Sequence, residues 1–135
     1  MANNYSDASI EPPLPASLFS EAEIQLMQDA CSVVCRHDGD GLRLFGESYF
    51  TTHGEDWDEN PLDLLAFLQS KLQQLDAAAY PLIAIHGACY CDKKRPDEFG
   101  GFAYVITRTA IRSFSTWEWL EAQTAETTGQ NGGRP

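Results

Sequence analysis

The chain lacks any apolar run near the length of a membrane-spanning helix, which needs about 20 such residues, so no membrane partner is expected. Its first residues, Met1-Ala2-Asn3-Asn4-Tyr5-Ser6-Asp7, have neither the basic start nor the apolar stretch of a secretion signal, and the expected compartment is the cytoplasm. Positive charge is scarce. Nine Lys and Arg stand against 20 Asp and Glu, a formal net charge of −11. A chain this acidic is repelled by phosphates and anionic lipids, so direct nucleic-acid binding is not expected, whereas a basic surface on another protein is attracted. Also missing are a glycine-rich strand–turn–helix unit, a phosphate-loop lysine motif and a serine-nucleophile elbow. No cofactor is expected, and no segment repeats.

What is present suffices for a core. Hydrophobic residues make up 43% of the 135, and a chain of this length fits one domain. Residues 1–16 carry Pro12, Pro13 and Pro15 and few apolar anchors, and read as a flexible arm. Residues 125–135, rich in glycine, read as a flexible tail. Between them, 17–124 reads as a single α+β domain.

Ser20 and Glu23 form the Ser-x-x-Glu capping box of a first helix, with Phe19 and Ile24 placed as a hydrophobic staple. Ile24, Met27, Cys31 and Val34 recur at helical spacing and carry that helix to about Arg36. Asp38-Gly39-Asp40-Gly41 turns the chain into a short strand, Leu42 to Phe45, with a continuation over Glu47 to Thr51. A loop, Thr52 to Glu59, follows. Asn60-Pro61 offers a cap and a first-turn proline for a second helix, whose buried stripe is Leu65, Leu68, Leu72 and Leu75, widened by Leu64 and ended by Tyr80-Pro81.

Leu82 to Cys91 is almost wholly apolar and reads as a central strand covered on both faces. A charged loop, Cys91 to Glu98, leads to a return strand, Phe102 to Thr107. Lys93-Lys94-Arg95 in that loop reads as a solvated hairpin tip whose charges discourage edge pairing. Thr109 to Phe114 is a further edge strand, and Ser115 with Glu118 caps a last helix to about Ala125. The expected architecture is a mainly antiparallel sheet of three to five strands with about three helices packed chiefly on one face.

Four cysteines and three histidines form two groups: His86, Cys89 and Cys91; and Cys31, Cys35 and His37. Zinc takes four such ligands in a tetrahedron, held by turns of Cys-x-x-Cys spacing, which neither group has. Strand alternation also sets His86 on the face opposite Cys89 and Cys91. Small buried hydrophobes are the simpler reading of the cysteines. A metal-stabilised module using Cys89, Cys91 and His86, His53, His37, Cys31 or Cys35 is one alternative. A small cysteine-dependent enzyme, with Cys89 or Cys91 beside His53 or His37, is another. Asp38-Gly39-Asp40-Gly41 fails as a calcium loop, because Leu42 and Tyr49 stand where oxygen ligands are required.

The unusual feature is acidic. From Asp38 to Asp63 eight carboxylates face only Arg43, a net −7 out of the chain's −11. Its densest part is Glu55-Asp56-Trp57-Asp58-Glu59, with Asp63 following. A large aromatic ring among carboxylates is the composition of a protein-binding hot spot, with the ring as anchor and the charges steering. The plain alternative is a solvated loop whose tryptophan folds back onto the core.

The sequence therefore points to a small non-catalytic interaction protein. Its partner-binding residues are Glu55, Asp56, Trp57, Asp58, Glu59 and Asp63, and its partner is the basic surface of another protein. The most specific version is an inhibitor of a nucleic-acid-binding protein, of the phage or mobile-element anti-defence type, acting in the extreme as a DNA mimic. Trp117 and Trp119 point to different sides of the last helix, leaving one for a partner or a homodimer.

Overall fold

In the computed structural model, residues 3–93, 95 and 98–128 are described. The chain runs β1 (Asn4–Pro15), a single 3-10 turn (Ala16–Leu18), α1 (Glu21–Cys31), β2 (Val33–Asp38), β3 (Gly41–Gly46), β4 (His53–Glu55), β5 (Pro61–Asp63), α2 (Leu64–Leu72), β6 (Ile83–Cys91), β7 (Gly100–Ile106), β8 (Ile111–Ser115) and α3 (Thr116–Thr128). The class is α+β. Six strands form one antiparallel sheet in the order β2-β3-β1-β6-β7-β8, and β4 and β5 pair separately. The strand count exceeds the expected three to five. No helix among the described residues is long and apolar enough to cross a membrane.

The largest correction concerns residues 1–16. The segment expected to be an arm is an inner strand of the sheet. From Asn4 to Glu11 it pairs with β6, and from Ala8 to Pro15 with β3. The prolines are compatible with this because they follow the last β6 pair, Glu11 with Ala84, and a register shift separates Ile10 from Leu14. Past that point β1 has one partner strand, so a residue without an N–H is tolerated.

α1 ends five residues short of Arg36. Ser32 adopts a left-handed backbone, φ 57°, and its N–H donates to the carbonyls of Met27 and Gln28, closing the helix. Val33, Val34 and Cys35 then belong to β2, where β-branched side chains fit. α2 starts at Leu64 rather than at Asn60-Pro61. The Asp63 carboxylate accepts from the Ala66 N–H at 3.2 Å and is the actual cap, while Pro61 to Asp63 pairs with β4. The helix also ends at Leu72, well before Tyr80-Pro81. The expected strand over Glu47 to Thr51 is a single parallel bridge, Ser6 with Tyr49. α3 continues through 125–128, and residues 129–135 of the expected tail lie outside the described residues, as does Lys94 of the basic hairpin tip.

The core lies on one face of the sheet. Register places Ala8, Ile10, Leu44, Ile83, Ile85 and Ile106 on that face, against Met27, Ala30 and Cys31 of α1 and Leu64, Leu65, Leu68 and Leu72 of α2. The opposite face of β6 exposes His86, Ala88 and Tyr90, so this strand is central but not covered on both sides. Its apolar run looked continuous because Ala84 and Ala88 stand at outward positions between the inward Ile, Gly and Cys. α3 buries none of its residues.

One buried charge ties the helices together. Lys71, 8% exposed, reaches from α2 to Glu23 at 2.8 Å and to the Leu18 carbonyl at 3.1 Å. Its ammonium lies 5.6 Å from the Phe19 ring and 5.4 Å from the Phe67 ring. A buried ammonium needs such partners, because its desolvation is otherwise uncompensated. The hydrogen bond from Lys71, followed by the Ser20 backbone bond, holds the Glu23 carboxyl below its ordinary value.

Deleting residues 1–15 should abolish cooperative unfolding in urea, because it removes the strand that joins the two halves of the sheet. A retained sigmoidal transition of similar slope would restore the arm reading. Glu23→Gln should lower stability at pH 7 and much less at pH 3, by urea titration at both values. The sign follows from the lowered pKa: the Glu23 contribution is present above its unfolded value and is lost as pH falls through the folded one.

Candidate functional site

The residues singled out in the acidic stretch fall on the β4–β5 hairpin and its turn. The base of the hairpin is docked on the end of α1. At Gly54 a side chain would collide with the Ala30 carbonyl oxygen, at 1.7 Å from the added carbon, so only glycine allows this approach. The turn is organised from inside by Asp56. Its carboxylate accepts from the backbone N–H of Asp58 at 2.9 Å, and from the N–H and the side-chain amide of Asn60 at 2.8 and 3.1 Å. Its own N–H donates to the Asn60 carbonyl, and its carbonyl accepts from Glu59. Glu59 takes a left-handed backbone, φ 61°, to complete the reversal. The Asn60 backbone bond leads the interactions that hold the Asp56 carboxyl below its ordinary value.

At the tip Trp57 is 91% exposed and does not fold back onto the core. Glu55, Asp58 and Glu59 are exposed beside it, and among the described residues their carboxylates make no hydrogen bond or ion pair. Asp63 is engaged elsewhere, as the cap of α2 and at 3.6 Å from His53 Nε2. Of the six expected partner-binding residues, four therefore present their side chains outward, and Asp56 and Asp63 shape the backbone. The rest of the acidic stretch is divided. Asp38 pairs with Arg43 at 3.0 Å beside the β2–β3 turn, and Glu47 follows β3.

The cysteine and histidine groups do not converge. Among the described residues no three His, Cys, Asp or Glu side chains come together as a metal would require. His86 faces away from Cys89 and Cys91, and its Nε2 lies 3.9 Å from Glu11. Burial, with Asp63 adding, pushes the Cys31 thiol up to about 11, and burial raises Cys35. That direction is opposite to what an activated nucleophile needs.

A second site went unseen in the sequence. A cavity of about 380 Å³ opens where β1 begins and β6 ends. Strand alternation turns Ser6 and Cys89, paired in register, toward it, 3.7 Å apart at Oγ and Sγ. Asn4, Phe50, Glu98 and Trp117 also line it, together with Tyr5, Ser48, Tyr49 and Tyr90. At its rim the Tyr5 and Tyr90 rings stack at 5.3 Å, and Tyr90 donates to Asp7 at 2.8 Å. Reading residues 1–16 as an arm hid this site. The available signal was the alternation of Ser6, Ala8 and Ile10 with Tyr5, Asp7 and Ser9.

Asp56→Ala should leave the fold intact but release the turn. Hydrogen exchange at the Asp58 and Asn60 amides is expected to become several-fold faster, with the β1–β6 ladder unchanged; unchanged exchange at both amides would show that the turn holds without the carboxylate. In the wild type the same amides should lose protection as pH falls through the lowered Asp56 value. Comparison of the chain with protein-family models, with curated proteins and with solved structures gave no match.

Proposed function

We propose that the protein is a non-catalytic interaction module that docks the tip of its β4–β5 hairpin on the basic surface of another protein. The observation that carries this reading is Trp57, 91% exposed at the tip of a turn that is fixed from within. A free indole is normally packed, because each Å² of apolar surface left in water forgoes about 25 cal/mol. Placed on a preformed turn, the ring loses little conformational freedom on binding, and tryptophan is the residue type most enriched in interface hot spots. Glu55, Asp58 and Glu59 surround it with charge that no described residue neutralises, and the chain as a whole carries −11. Such a field raises association rates with cationic surfaces and repels anionic ones.

The finer form of the proposal is an inhibitor that covers the nucleic-acid-binding face of its partner, the phage or mobile-element anti-defence type. Steric cover by an anchored hairpin fits the arrangement better than duplex mimicry does. Asp56 and Asp63 are used internally, and the remaining carboxylates are too few to trace a phosphate backbone.

The test is a nuclease-treated pull-down from host-cell lysate with wild type, Trp57→Ala, and the triple variant Glu55→Lys, Asp58→Lys, Glu59→Lys. A basic protein retained by wild type should be lost from the triple variant and reduced about tenfold or more with Trp57→Ala. Its binding should also weaken as salt rises. A partner retained equally by all three proteins would remove the hairpin from the interface.

A further inference from the structure

The cavity between the start of β1 and the end of β6 is separate from the hairpin and carries its own chemistry. Two of its walls are aromatic rings seated on glycines. The Trp117 ring lies against Gly100, where an added Cβ would come within 2.4 Å of it, and Trp117 as a whole remains 39% exposed. Phe50 is seated in the same way on Gly46, where an added Cβ would meet its ring at 2.3 Å, and it stacks on Phe102 with 2° between the planes. Thr116 Oγ1 accepts from the Gly101 N–H at 3.0 Å and fixes the start of the helix that carries Trp117. These rings are held by contacts that only glycine permits, so the wall is preorganised.

The third wall is a carboxylate. Glu98 Oε1 accepts from the Asn4 side-chain amide at 3.4 Å and lies 3.8 Å from Arg95, whose own side chain is 60% exposed. Oε2 is buried and has no hydrogen-bond partner among the described residues. A buried carboxylate oxygen left unpaired is costly and is uncommon in folded proteins. Among the described residues, Glu98 is also the one charged group on the cavity wall. A negative charge beside two aromatic rings, with the Ser6 hydroxyl as a further acceptor, is complementary to a cation that has an apolar stem. The volume, about 380 Å³, lies at the small-ligand end of binding pockets.

We propose that this cavity binds an alkylammonium group, with the ammonium on Glu98 and the methylene stem between Phe50 and Trp117. The group is carried either by a free small amine or by a lysine side chain of a peptide, and both present the same chemistry to the site. Cys89 lies at the wall as a contact residue and takes no covalent part.

The test is an amide and indole N–H NMR titration of the full chain at constant ionic strength. The probes are n-butylammonium, the uncharged n-butanol, and N-acetyl-lysine methylamide. Saturable shifts at the Trp117 indole and at Gly100 and Cys89 are expected with n-butylammonium and not with n-butanol. Glu98→Gln, which keeps size and shape, should weaken binding about tenfold or more. Binding of the lysine derivative as tight as that of the free amine would assign the site to a peptide. Binding of the free amine alone would assign it to a small molecule. Absence of saturable shifts with either cation, equal response to n-butanol, or unchanged affinity in a folded Glu98→Gln protein would overturn the proposal. Loss of hairpin-dependent partner capture would leave it standing, since the titration needs no partner.

Discussion

The ladder between β1 and β6 joins the two halves of the molecule. On one side of it lie β3 and β2, on the other β7 and β8, and among the described residues no other pairing connects the halves of the sheet. Eight residue pairs, Asn4 with Cys91 through Glu11 with Ala84, make this seam. It closes contacts more than 70 residues apart in sequence, so the loop-closure entropy must be offset by the burial the seam organises. That burial is large: Ile10 meets Leu44 on one side and Ile85 on the other, and the same face receives both α1 and α2. Both candidate sites depend on it. The cavity sits at one end of the seam, and the hairpin rests on the α1 terminus that the sheet supports.

A second constraint is the use of glycine for close approach. Gly54 admits the Ala30 carbonyl, Gly46 the Phe50 ring and Gly100 the Trp117 ring. Each places a functional candidate against a rigid support. The hairpin turn adds a different device, a carboxylate that has given up its role as a surface charge to bind three donors. Charge on this surface is therefore of two kinds. Asp56 and Asp63 hold backbone, whereas Glu55, Asp58 and Glu59 face solvent.

Helical periodicity and capping were legible where one local signal stood alone. The Ser20–Glu23 box starts α1 with both reciprocal bonds, and the leucine stripe of α2 is buried at Leu64, Leu65, Leu68 and Leu72. They were misread where two signals competed. Asn60-Pro61 and Asp63 are both good helix starts, and the pairing of Pro61 with Glu55 decided for the latter. Cys35 continues the helical spacing of α1 on paper, but the left-handed Ser32 stops the helix first. β1 was missed because its prolines read as breakers, and only the neighbouring strands reveal that they fall beyond the β6 ladder.

By itself the sequence determined the class of the protein, its negative charge, the hairpin of β6 and β7, and the concentration of carboxylates around Trp57. These are properties of composition and of local pattern. The tertiary structure alone decided which carboxylates face solvent, that Trp57 stands away from the core, and that Ser6, Phe50, Cys89, Glu98 and Trp117 share one cavity. Those residues lie on five separate segments; the register of paired strands sets Ser6 beside Cys89, and the fold built on that sheet brings Phe50, Glu98 and Trp117 to them. Register is set by burial across the whole sheet, which no local window of sequence contains.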